Sequence, residues 1–100
     1  MKVNVQAPNF AVKEPLLDFI EKRLQKLEQF YDKIVAADVF LKIQKTSEKE
    51  NKITEILLSV PGSDLICKKE SKTFEAAVDE CVQSLQRQLK KRKQKQRVFA

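Results

Sequence analysis

Histidine and tryptophan are absent from this 100-residue chain, and glycine, methionine and tyrosine occur once each. Each scarcity closes a route. Without histidine, the commonest zinc ligand and the commonest general base are both missing. A single glycine rules out a Gly-rich phosphate loop. With only three prolines as well, there is no linker and no low-complexity segment. Two cysteines, Cys67 and Cys81, have no metal-ligand spacing. They read as small apolar core side chains in a reducing compartment rather than as a redox pair. No apolar run approaches the ~20 residues that cross a bilayer. The opening Met1–Gln6 lacks the apolar stretch of a secretion signal, so a cytosolic protein is expected. Fourteen acids are present, but no spacing among them demands a carboxylate pair, and no nucleophile has a visible base. An enzyme is the least supported class, and neither a cofactor nor a metal is implied.

Acids are missing from one region in particular. Residues 1–80 hold thirteen Lys and Arg against fourteen Asp and Glu, whereas Cys81–Ala100 holds seven Lys and Arg and no acid. The whole net charge of +6 therefore comes from the last fifth of the chain. Charge so concentrated is a local field rather than a solubility average, and it calls for a polyanionic partner.

At 42% apolar and 34% charged residues, the chain suits one globular domain spanning residues 1–100. Val3 and Val5 alternate with polar neighbours over Lys2–Ala7, which predicts a strand. Glu14–Tyr31 reads as a helix with Pro15 in its first turn and a stripe of Leu16, Leu17, Ile20, Leu24, Leu27 and Tyr31. Val35–Lys45, Lys52–Val60 and Ser63–Glu70 read as three strands, joined by a polar loop at Thr46–Asn51 and a tight turn at Pro61-Gly62. Thr73 is a good N-cap for a last helix from Phe74 to about Lys95. The order β-α-β-β-β-α allows strands 1 and 2 to pair in parallel across the helix, with 2, 3 and 4 as an antiparallel meander. An α+β fold follows: a two-layer sandwich of a four-stranded mixed sheet with both helices on one face. Phe40, Leu57 and Ile66 then fall on the uncovered face.

On the last helix, Phe74, Val78, Cys81, Val82, Leu85 and Leu89 form the core stripe. Arg87, Lys90, Lys91, Gln94 and Arg97 fall broadly opposite Leu85. Beyond Leu89, with Arg92, Lys93 and Lys95, cations occupy most of the circumference. Such a segment either frays or lies against something negative. Lys22 and Lys26, one turn apart on the first helix and flanked by Arg23, extend the basic surface if the helices lie side by side. Glu21 and Glu28 nearby also allow an ordinary solvated face there. Membrane attachment is disfavoured, because the apolar face is needed to cover the sheet.

No zinc-finger spacing, zipper or aromatic RNP1 strand is present, so neither duplex-DNA reading nor base stacking on the sheet is supported. Recognition of phosphates and shape in a structured RNA remains. Two alternatives stand beside it: a general module for structured or double-stranded RNA, and a protein-interaction module using the open sheet face.

Two blocks carry a family resemblance. Lys26-Leu27-Glu28-Gln29-Phe30-Tyr31-Asp32-Lys33-Ile34 resembles the KLEQYFDRI-like end of the first helix in ribosome hibernation-promoting factors, the ribosome-associated inhibitor family. Ala76-Ala77-Val78-Asp79, Leu85 and Arg87-Gln88-Leu89-Lys90-Lys91-Arg92-Lys93 are similar to that family's AAID…L-x-RQL-x-K-x-K helix. The resemblance implies a domain distantly like double-stranded-RNA-binding domains, bound to small-subunit ribosomal RNA in the channel for mRNA and tRNA. There it would block initiation on idle ribosomes. Carried over by position, Lys22, Lys26, Arg87, Lys90, Lys91, Lys93 and Lys95 would face that RNA, with Arg92 added on charge. Thr73-Phe74-Glu75 stands where the family often has Asp-Met-Tyr. The short form of the family is expected, without the C-terminal dimerisation domain of its long members.

Overall fold

A computed structural model of the chain describes residues 1–44 and 51–98, the last four by backbone alone. Six elements follow the expected order: β1 (Lys2–Gln6), α1 (Glu14–Phe30), β2 (Ala36–Ile43), β3 (Lys52–Ser59), β4 (Leu65–Ser71) and α2 (Phe74–Val98). The sheet order is β1-β2-β3-β4. β1 lies parallel to β2, with Lys2 opposite Ala36 and Gln6 opposite Phe40. The other two pairs are antiparallel, with Ala36 opposite Ser59 and Leu58 opposite Leu65. Residue 45 and most of the expected loop at 46–51 lie outside the described residues.

Local chemistry sets the helix starts. Pro15 sits in the first turn of α1, where its missing N–H leaves no bond unmade. Lys13 precedes the helix without a side-chain cap, and its carbonyl accepts from the amides of Leu16 and Leu17 at 3.1 and 3.2 Å. α2 opens on a true cap: the Ala76 amide donates to Thr73 Oγ1 at 3.1 Å. Tyr31, expected inside α1, is instead its C-cap, in extended backbone with φ −141°. Its amide still donates to the Leu27 carbonyl at 2.8 Å.

Period-2 and period-3.6 patterns converge on one core. Ile20, Leu24, Leu27 and Tyr31 of the first stripe meet Ala37, Val39, Leu41, Ile56 and Leu58 of the sheet. Val78, Cys81, Val82, Leu85 and Leu89 complete it from α2. Both cysteines are buried free thiols. The Cys81 Sγ lies 3.5 and 3.6 Å from the carbonyls of Thr54 and Cys67, either of which can accept its one proton, where α2 crosses β3 and β4.

The two helices run side by side in the same direction. Near their starts the rings of Phe10 and Phe74 stack with centroids 4.9 Å apart. Farther along, Arg23 of α1 meets Asp79 of α2, and at the far end Lys93 of α2 reaches Phe30 of α1. On the opposite side of the sheet, Phe40 and Ile66 are exposed and Leu57 is half-buried. The β3–β4 turn contains Gly62 at φ +99°, the left-handed region where a side chain is strained. β4 therefore begins at Leu65, two residues after the expected Ser63.

Candidate nucleic-acid interface

α2 has 25 residues, which at 1.5 Å per residue gives about 37 Å. The strands beneath it, β3 and β4, have eight and seven residues and span only about 23 to 26 Å. The basic end of α2 therefore has no sheet of equal length to cover. It runs on to Val98 past the last buried leucine, Leu89.

The cations of this end divide into two groups. Arg87, Lys90 and Lys91 are exposed. Arg87 and Lys90 share a shallow surface with Gln83 and Gln86 along the outside of α2. Lys90 also lines the hollow between the C-terminal ends of the helices, together with Phe30, Lys93 and Gln94. On α1, Lys22 and Lys26 are exposed, and the helical period puts them on the outward side next to the α2-facing residues Arg23 and Phe30. Lys22 and Lys26 thus lie on the outward side of α1, and Lys90 lies at the edge of the hollow between the helices with Arg87 beside it on α2. Among the described residues, none of Lys22, Lys26, Arg87, Lys90 and Lys91 has an internal hydrogen-bond or ion-pair partner.

The second group is engaged inside the fold. Arg23 Nε lies 3.0 Å from Asp79 Oδ1, and its guanidinium sits 4.9 Å from the centre of the Phe19 ring. Arg92 turns toward the β3–β4 turn. Its Nη1 donates to the Ser63 carbonyl at 2.8 Å and to the Pro61 carbonyl at 3.4 Å, and its Nη2 donates to Ser63 Oγ at 2.8 Å. Lys93 Nζ donates to the Phe30 carbonyl at 2.8 Å and rests 4.7 Å from the Phe30 ring centre. Both residues are half-buried. The side chains of Lys95 and Arg97 lie outside the described residues.

Beyond Leu89 the backbone stays helical to Val98, and Arg92 and Lys93 have internal partners. The negative groups they need are carbonyl oxygens of their own chain. The helical period contains the signal: at about 100° per residue Arg92 lies roughly 20° and Lys93 roughly 80° from Leu85, so both continue the core side. Arg87, Lys90 and Lys91, at roughly 140° to 240°, point away. Charge density alone does not separate these groups.

An array of exposed cations along two parallel helices can grip a phosphate backbone whose spacing it matches, and it reads no base edges. Known proteins are similar to this chain in sequence and in fold. A ribosome hibernation promoting factor from Pseudomonas putida is 34% identical over 96 residues, covering 96% of this chain and 90% of that protein. One from Escherichia coli K12 is 32% identical over 95 residues, covering 95% and 96%. Among solved structures, a ribosomal subunit interface protein from Coxiella burnetii superposes with a TM-score of 0.83 at 25% identity, over 93% of this chain and 98% of that one. The N-terminal domain of Thermus thermophilus Protein Y does so with a TM-score of 0.78 at 25% identity, over 91% and 98%. Residues 3–97 match the family described as Sigma 54 modulation protein / S30EA ribosomal protein, and the chain belongs to that family.

Proposed function

We propose that this chain is a ribosome hibernation factor: a single cytoplasmic domain that binds small-subunit ribosomal RNA where mRNA and tRNA pass, and so blocks initiation on idle ribosomes. The observation that carries the reading is the row of exposed cations Lys22, Lys26, Arg87, Lys90 and Lys91 across the helix pair. Relatives named for ribosome hibernation, matched over nearly the whole chain, support the choice of the ribosome as the polyanion. Lys95 and Arg97 extend the array on charge. The mechanism is occupancy: bound cations release counterions from the phosphates, and the folded domain fills space that other ligands need. No bond is made or broken.

Cosedimentation with purified small subunits, alongside a translation assay, tests this. The parent chain is expected to bind at low salt and inhibit initiation. The triple change Arg87→Glu, Lys90→Glu, Lys91→Glu is expected to abolish both. Full inhibition by the triple variant would refute the electrostatic mechanism, and equal affinity for a plain RNA duplex would favour a general RNA-binding module instead.

A further inference from the structure

We infer that Arg92 and Lys93, although they sit in the densest run of cations, are positioning residues that aim the phosphate-binding array and do not themselves contact phosphate. The inference deepens the ribosomal reading above.

Among the described residues Leu89 is the last fully buried side chain of α2, and the helix continues nine residues beyond it to Val98. A helical end with no core beneath it needs other anchors if its cations are to hold a fixed direction. Two consecutive residues supply them on two sides. Arg92 spreads its guanidinium over Pro61 and Ser63 through three hydrogen bonds and ties α2 to the sheet. Only a planar fork with several donors reaches all three oxygens at once.

Lys93 ties the same turn to α1. The Phe30 carbonyl that it binds belongs to the last turn of α1, where carbonyls lack helical partners and the helix dipole is negative. α1 has no basic residue in its own last turn, so Lys93 acts as that helix's cap from a neighbouring element. The adjacent Phe30 ring holds the ammonium from the side. Lys90 and Lys91 immediately precede this doubly anchored turn and inherit its orientation.

The roles make opposite demands on substitutions. A phosphate contact depends on charge, so Arg92→Lys preserves it and Arg92→Gln lowers the salt slope of binding by about one. A tether depends on the fork, so Arg92→Lys breaks it while the charge remains. In the free full chain, amide hydrogen exchange at residues 90–98 is expected to be severalfold faster in Arg92→Lys than in the parent. Lys93→Gln is expected to speed exchange both there and in the last turn of α1. On small subunits, the log affinity against log salt of Arg92→Gln is expected to keep the parent's slope while the whole line shifts to weaker binding. Arg87→Gln is expected to flatten its slope by about one. Parental exchange in Arg92→Lys, or a slope lowered by about one in Arg92→Gln, would overturn the inference. An unchanged slope in Arg87→Gln would instead count against the ribosomal reading, and exchange in the free protein would still decide the tether.

Discussion

Cys81 shows how far burial alone determines a side chain's chemistry. It is fully buried on the inner side of α2, and its thiol faces two carbonyls and the Cys67 thiol. Burial, reinforced by Cys67, pushes its pKa far above the usual thiol range. Cys81 is therefore a packing residue and a poor nucleophile. The raised value has a consequence for stability. The unfolded chain releases this proton first, so the contribution of the neutral thiol is complete below the ordinary pKa of about 8.5 and declines as pH rises past it. The limiting slope is about 1.4 kcal/mol per pH unit. Urea unfolding near pH 7.5 and near pH 9.5, about one unit either side of that ordinary value, should show a loss in the parent that Cys81→Ala lacks. Parallel losses in both proteins would remove Cys81 as the cause.

At the scale of elements, the two helices are started and held by different means. α1 relies on Pro15 and its stripe, having no side-chain cap. α2 has the Thr73 hydroxyl, whose loss leaves the Ala76 amide without its acceptor. Thr73→Ala is expected to cost about 1 kcal/mol of folding stability, measured by chemical denaturation. A change below about 0.3 kcal/mol would show that water replaces the cap without cost. The contact between the helices is mixed. Its aromatic stack at Phe10 and Phe74 is apolar, whereas the Arg23–Asp79 pair is partly solvated and contributes little to stability. That pair has a more specific effect: it commits Arg23 to α2 and leaves Lys22 and Lys26 as the outward cations of α1.

The molecule as a whole presents two unlike faces. One is the helix pair with its exposed cations. The other is the open sheet, where Lys42, Lys68, Asp38, Glu55 and Glu70 alternate around Phe40, Leu57 and Ile66. The helix side carries acids as well, Glu21 and Glu80 among them, but α2 has none from Cys81 onward. If the five exposed, internally unpartnered cations among the described residues each displace one counterion, they alone should make log affinity for small subunits fall with log salt at a slope of about −4 to −5. A titration from low to moderate salt measures this directly. A slope near zero would mean that the helix face is not the binding surface.

Much of this was legible in the residue order. The alternation of Val3 and Val5, the spacing from Leu16 to Tyr31, the Pro61-Gly62 turn and the Thr73 cap defined six elements within a few residues of where they lie. Strand ends were less legible. Whether Ser63 extends β4 or belongs to the turn depends on Gly62's backbone and on Arg92, which comes from the far end of the chain. Charge patterning located the basic end of α2 but treated its cations as equivalent. Periodicity along one helix determines which residues share a side. What each side faces is settled only when the other elements pack, because carbonyls 29 to 63 residues away decide whether a cation is spent or free.

The sequence by itself thus determined the fold class, the shared core face and the location of the positive charge, since these follow from local periods and composition. Helical period separates the sides on which these cations lie, but tertiary structure alone supplied the partners that hold Arg23, Arg92 and Lys93 and leave Lys22, Lys26, Arg87, Lys90 and Lys91 exposed. The physical reason is that a hydrogen bond to a distant carbonyl or carboxylate exists only after the chain has brought the two together.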